Sequence, residues 1–236
     1  MNQHHISVVA HLIAEPVRSV MLITLSGGEA LSASALAEAA GITAQTASFH
    51  LSKLLEGRLL TVESQGRHRY YQLAGPHIAQ LLESLASIGP VTNAWKNTPS
   101  PSAKALRFAR CCYDHLAGQI GVAVTQAMLQ QGLITQNAEQ HYVLTDAGSR
   151  WLLALGIECD EAAQQPARPC LDWTERQYHL AGPLGALLMN TFCQWEWVGK
   201  TSGTRALTLT PQGWQGLEEH LGITRQGNAL SVASLT

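Results

Sequence analysis

The chain has 236 residues, 46% of them hydrophobic and only 14% charged, with a formal net charge of -2. That length exceeds one typical domain and falls short of three, so two domains are expected, each able to bury a core. The charge balance excludes an indiscriminate polyanion binder, and any nucleic-acid site must be a local basic cluster.

Residues 1–16 lack a basic leader, and their apolar stretch is broken by His11, Glu15 and Pro16, so they do not read as a signal peptide. No apolar run approaches the roughly 20 residues needed to span a bilayer, and no membrane partner is expected. Five cysteines, an odd number, do not resemble a disulfide framework, which points to a reducing cytoplasm.

In chain order, Ile6, Val9, Leu12, Ile13, Val17, Val20 and Met21 recur at helical spacing, with Pro16 suited to the first turn of a second helical piece that stops at Gly27 and Gly28. Ser32 or Ser34 can cap a short helix that runs to Ala40. Gly41 breaks it, and Thr43 can cap a helix from about Ala44 to Glu56. Two β-prone segments, 59–62 and 69–73, flank a tip carrying Gly66 and form a wing-like hairpin. Ile78, Leu81, Leu82, Leu85 and Ile88 then line one helix face. Prolines with Asn, Thr and Ser mark a linker at 91–103, which separates a domain of residues 1–90 from one of residues 104–236.

The second domain contains an internal repeat, about 107–157 and 168–223. The run from Cys112 to Gly121, with its Cys-x-Asp and His-Leu-Ala-Gly, is echoed by Cys170-Leu171-Asp172 and, after a six-residue insertion, by His179-Leu180-Ala181-Gly182. Leu144-Thr145-Asp146-Ala147-Gly148 matches Leu209-Thr210-Pro211-Gln212-Gly213, and Leu155-Gly156-Ile157 matches Leu221-Gly222-Ile223. The expected fold is mainly α with small β-hairpins. It comprises an N-terminal winged helix-turn-helix and a C-terminal domain of two pseudo-symmetric helix/strand/helix repeats, with the His-Leu-Ala-Gly blocks on facing helices and glycines spaced for close helix approach.

The run Leu36 to Thr43, followed by Thr46 to Leu54 and by Gly66 to Leu73, resembles the ArsR/SmtB repressors over residues 6–90. The resemblance implies a homodimeric DNA-binding repressor whose first and last helices form the dimer interface and whose two recognition helices address an inverted-repeat operator. Ile42, Ala47, Leu51, Leu54 and Leu55 facing inward would leave Thr43, Gln45, Thr46, Ser48, Phe49, His50, Ser52 and Lys53 toward DNA. Gln45 suits adenine and Phe49 a thymine methyl, while Thr46 and Lys53 suit phosphates. Arg67, His68 and Arg69 on the hairpin suit backbone phosphates or a minor groove. Residues 1–90 hold five Lys/Arg against six Asp/Glu, so the basic groups matter by their concentration on these two elements.

The familiar metal-sensing positions of the family are lacking: Leu31 to Ala40 has no Cys or His, and the helix after Leu73 offers only His77. The C-terminal domain is therefore the expected effector site, with Cys111, Cys112, Asp114, His115, Cys170, Asp172 and His179 as candidates. On a helix, Cys111 and His115, Cys112 and His115, or Glu175 and His179 would each share a face. A metal set of Cys112, His115, Cys170 and His179 would suit zinc, copper(I) or another soft metal or metalloid. An organic effector in a tryptophan-lined cavity between the repeats is the alternative. Two other readings stay open: an enzyme with Cys111 or Cys112 as nucleophile and His115 or His179 as base, and an effector-independent DNA-binding protein.

Overall fold

The computed structural model describes residues 3–88, 101–200, 204–227 and 229–233. It divides into two compact units: residues 1–85 with 202–205, and residues 86–201 with 206–236. Most of the expected linker lies outside the described residues, and its last part, from Pro101, already belongs to a helix.

The first unit begins with α1 (Gln3–Ala14) and α2 (Pro16–Leu25). Pro16 sits in the first turn of α2, where its missing N–H costs nothing, and the Glu15 carboxylate accepts from the Arg18 N–H as cap. Strand β1 (Leu31–Ser32) leads into α3 (Ala33–Ala40), whose cap is the Ser32 hydroxyl. Gly41 ends α3 in the left-handed region (φ 65°), which a residue without Cβ reaches at no steric cost. The Thr43 side chain accepts from Thr46 N–H and starts α4 (Ala44–Glu56). Strands β2 (Leu60–Gln65) and β3 (His68–Leu73) form the hairpin, and α5 spans Pro76–Ile88.

The sheet order is β1-β3-β2. The strands run further toward the tip than the sequence pattern indicates, because Glu63, Ser64 and Gln65 pair with Tyr70, Arg69 and His68 and leave a two-residue turn, Gly66–Arg67. Met21, Leu22, Leu36, Leu51, Leu54 and Tyr71 are among the residues that fill the core.

The second unit is built from short hairpins and helices in an order that occurs twice. After α6 (Pro101–Phe108) come β4 (Arg110–Cys112), β5 (His115–Ala117), α7 (Gly118–Gln130), β6 (Ile134–Gln136), β7 (Tyr142–Leu144) and α8 (Asp146–Ala154). After α9 (Glu161–Gln164) come β8 (Pro169–Leu171), β9 (Tyr178–Leu180), α10 (Gly182–Gln194), β10 (Val198–Lys200), β11 (Leu207–Leu209) and α11 (Pro211–Leu221). A last hairpin, β12 (Ile223–Gln226) with β13 (Ala229–Val232), adds to the elements expected from the sequence.

Each half is thus hairpin, helix, hairpin, helix rather than helix, strand, helix. The Cys and His blocks lie on hairpins, which corrects the expected helical placement. The recurring Thr-x-x-Gly has a common local cause: Thr145 and Thr210 cap α8 and α11 by accepting from Gly148 and Gly213 N–H. A Cβ on either glycine would lie 2.0 Å from the Leu133 carbonyl oxygen or 2.1 Å from that of Trp197, so no larger residue fits.

Gly121 and Gly185 are also forced, though not by helix pairing. A Cβ on Gly121 would meet the Leu116 carbonyl at 2.3 Å, and one on Gly185 the Leu180 carbonyl at 2.6 Å, because each helix folds tightly against the strand before it. Helix α10 packs on β5 and α7 packs on β9, so each half covers the hairpin of the other. The shared core includes Ile120, Met128, Leu184, Leu188, Phe192 and Trp197.

Candidate functional site

Two sites follow, one in each unit. In the first, Ala47, Leu51 and Leu54 bury one face of α4. Geometry then leaves Gln45, Thr46, Ser48, Phe49 and Ser52 exposed on the other, with Phe49 59% exposed. Its ring meets His50 edge-on at 5.6 Å between centroids and otherwise faces outward. Ser48 and Ser52 donate back to the Ala44 and Phe49 carbonyls, which holds their side chains close to the helix. Lys53 lies 3.3 Å from Glu56 and over the Phe49 ring at 5.9 Å.

His50 does not join this face. Its Nδ1 lies 3.3 Å from the Glu15 carboxylate and its side chain is 12% exposed, so it is turned inward, away from the set expected to meet DNA. Arg67, His68 and Arg69 are exposed at the hairpin tip. Between α4 and the hairpin runs an open groove of about 340 Å³ lined by Ser48, Ser52, Arg67 and Arg69.

In the second unit the two hairpins bring Cys112, His115, Cys170 and His179 together. Register places Cys112 directly opposite His115 and Cys170 directly opposite His179, so each hairpin presents one sulfur and one imidazole on a common face. The two imidazoles meet with Nε2 atoms 3.1 Å apart. One ligand atom from each of the four residues lies within 4.8 Å of all the others. Cys112, His115 and His179 are buried and Cys170 is half-buried.

Side chains alternate along a strand, so Cys111 faces away from Cys112, and its thiol donates to the Tyr113 carbonyl. This removes Cys111 from the set and discards the Cys111–His115 spacing. Glu175 is likewise absent: it lies in the β8–β9 turn and accepts from Arg107 at 2.7 Å.

The two aspartates stand behind the imidazoles. Asp114 Oδ1 is 3.1 Å from His115 Nδ1, and Asp172 Oδ2 is 3.9 Å from the buried His179 Nδ1. Burial lowers the pKa of His115, but its bonds to Cys112 and Asp114 outweigh this and raise the pKa above the ordinary imidazole value. Asp172 is fully buried and pairs with the buried Arg110 at 3.0 Å. It also accepts from Gly118 N–H at 2.7 Å at the start of α7 and from Thr174 and Glu175. Burial raises its pKa, yet Arg110 and these donors prevail and hold it at about 2.

Sequence reasoning does not single out Arg110. Its one signal there is an arginine set directly between Ala109 and the two cysteines, three positions after Arg107.

The cavity between the halves, lined by Leu116, Gly121, Leu180 and Gly185 among others, has a volume of only about 10 Å³. That space holds one water at most, and none of the residues lining it is a tryptophan. Trp197 instead stacks between Phe192 and His220 at 5.0 and 5.8 Å, and Trp173 covers the Arg110 guanidinium.

A capped helix, a left-handed glycine turn, a second helix with an open polar face and a basic hairpin define the class: a winged helix-turn-helix DNA-binding module carrying a second unit. Residues 13–63 match the family described as "Helix-turn-helix domain". The uncharacterized HTH-type transcriptional regulator YdfF of Bacillus subtilis is 39% identical over 222 residues, covering 93% of this chain and 98% of that protein. The chain belongs to the helix-turn-helix transcriptional regulators, in the winged form that the ArsR/SmtB resemblance implies.

Among solved structures, the repressor BigR from Xylella fastidiosa is similar at 25% identity, covering 38% of this chain and 90% of its own, with a TM-score of 0.35. The homodimeric winged helix-turn-helix fragment Mb0332 from Mycobacterium bovis is similar at 27% identity, covering 35% of this chain and 75% of its own, with a TM-score of 0.32. No single helix among the described residues is long and apolar enough to cross a membrane.

Proposed function

We propose that this regulator is a dimeric repressor that binds an inverted-repeat operator and releases it when an effector occupies the second unit. The observation that carries the reading is the open face of α4 beside the basic hairpin. Gln45, Ser48, Phe49 and Ser52 are exposed toward base edges, while Thr43, Thr46, Lys53, Arg67, His68 and Arg69 meet the backbone. Dimerisation is supported by apolar side chains left in solvent on two helices: Ile6 and Val8 on α1, and Leu81, Leu85 and Ile88 on α5, the last 80% exposed. The effector reading rests on Cys112, His115 and His179, buried together in the second unit beside half-buried Cys170.

Mobility shifts and footprinting with the full chain, with mass measured in solution, test this. A dimer protecting two half-sites is expected. Arg67→Ala or Arg69→Ala should weaken binding to all sequences and reduce the salt slope by about one unit for each phosphate no longer neutralised. A monomer, protection of a single half-site, or an arginine variant that alters base preference without changing the salt slope would overturn it.

A further inference from the structure

The geometry points to a closed, four-coordinate site for a divalent thiophilic cation of the zinc class, held by Cys112 and His115 from one hairpin and Cys170 and His179 from the other. As the effector site of the repressor it rests on the reading above; as a metal site it stands on its own geometry.

The distances fit. Zinc with Zn–N near 2.0–2.1 Å and Zn–S near 2.3 Å has tetrahedral edges of about 3.3 Å between nitrogens and about 3.8 Å between sulfurs. The observed Nε2–Nε2 separation of 3.1 Å is close to the nitrogen–nitrogen edge, and with all four ligand atoms within 4.8 Å the set has at most about 1 Å to close around the ion. The two hairpins contribute identical pairs, each set by a directly opposed Cys and His.

Hydrogen bonding argues the same way. An imidazole donating Nδ1–H to an acid carries its lone pair on Nε2. Asp114 lies at hydrogen-bond distance from His115 Nδ1, and the acid nearest His179 Nδ1 is Asp172. The His115 ring then turns its lone pair toward His179 Nε2, 3.1 Å away, and no hydrogen bond at the buried His179 Nδ1 fixes the other ring's tautomer, so both Nε2 atoms can offer lone pairs to one cation. Sulfur on either side completes a tetrahedron.

Charge selects the ion. Two thiols lose their protons to solvent on binding, and two thiolates with two neutral imidazoles cancel a charge of +2. A monovalent or trivalent ion would leave a net charge in a buried site, where uncompensated charge is costly. Four protein ligands leave no open position, so the site holds its ion rather than presenting it to a substrate.

Because the ligands come from separate hairpins, the ion would clamp the two halves of the second unit. Binding energy at such a site becomes folding energy, and this gives an effector mechanical leverage that a surface site lacks.

The test uses the full chain, stripped with a chelator and titrated with cobalt(II) as the spectroscopic probe and then with zinc. One cobalt per chain is expected, with thiolate-to-cobalt charge transfer and intense tetrahedral ligand-field bands, both displaced by zinc. Cys112→Ser and Cys170→Ser should each remove part of the charge-transfer band, whereas Cys111→Ser, on the opposite face of the same strand, should leave the spectrum unchanged. His179→Gln should lower affinity at least 100-fold. Asp114→Asn, which loosens His115 without removing a ligand, should lower affinity about 10-fold.

Circular dichroism of each stripped variant separates lost ligands from lost fold, and the cobalt spectrum of Cys111→Ser stays informative if a Cys112 variant does not fold. Absence of a one-to-one cobalt complex, octahedral bands, or equal loss in Cys111→Ser and Cys112→Ser would overturn the site. Operator binding is measured in parallel on stripped and zinc-loaded protein. Loss of metal binding with operator binding intact sinks the site alone, and an intact cobalt spectrum without operator binding sinks the repressor reading alone. Equal operator affinity with and without zinc overturns the ion's role as effector.

Discussion

Hairpins β4–β5 and β8–β9 present the same pair of groups, yet they are supported in different ways. In the first, a two-residue turn of Tyr113 and Asp114 joins Cys112 to His115, and the Asp114 side chain is 45% exposed. In the second, residues 172–177 form a longer turn whose first residue, Asp172, is fully buried against Arg110, Gly118 and Thr174. The longer turn therefore acts as a brace: its Thr174 and Glu175 N–H groups donate to Asp172 and hold it against the first strand and first helix of the other half. The lesson is that repeated ligands need not have repeated surroundings, and only one of the two aspartates carries the fold.

The largest expected effect tests that asymmetry directly. Asp172→Ala leaves Arg110 charged and buried, and should cost about 3–5 kcal/mol in thermal or urea unfolding of the metal-free chain. A cost below about 1 kcal/mol would place the two acids on an equal footing and break the comparison.

The same group has a pH signature. Its carboxyl titrates at about 2 when folded instead of the ordinary 3.8. A depressed pKa stabilises above the unfolded value, so the contribution of about 2 kcal/mol should be complete above pH 4 and fade as pH falls toward 2. Unfolding measured at pH 6 and at pH 2.5 should show the gap between wild type and Asp172→Ala shrinking at the lower pH.

A smaller effect is expected where the halves do share their surroundings. Thr145→Ala and Thr210→Ala each remove a cap with the same geometry, so each should cost about 1 kcal/mol, and the double variant should show the sum. Unequal costs would extend the difference between the hairpins to the rest of each half. The smallest change is expected for Asp114→Asn, an exposed partner, at less than about 1 kcal/mol in chemical unfolding. A cost like that of Asp172→Ala would remove the distinction.

The first unit is legible in the sequence because its signals are local. Caps at Ser32 and Thr43, the glycine stop at Gly41 and the helical spacing of Ala47, Leu51 and Leu54 each act within a few residues. The inward turn of His50 is not legible, since Glu15 lies 35 positions earlier in the chain.

In the second unit the hairpins resemble helices in sequence for an identifiable reason. A pair opposed across a two-residue turn has the spacing i, i+3, which is also the spacing of neighbours on a helix face, and three-residue strands are too short to show an alternation. The pairing of Cys112 with His115 is the same in either reading, because both geometries put them together.

By itself, the sequence determined the winged helix-turn-helix, the recurring blocks of the second unit, and the residue types from which a soft-metal site could be made. Only the tertiary structure decided which cysteine faces inward, placed Asp114 and Asp172 beside the imidazole Nδ1 atoms, and joined Cys112 and His115 to partners near residues 170 and 179. The reason is that local propensity reaches only a few residues along the chain. The meeting of His115 with His179 spans 64 positions and depends on each half packing its helix over the other's hairpin.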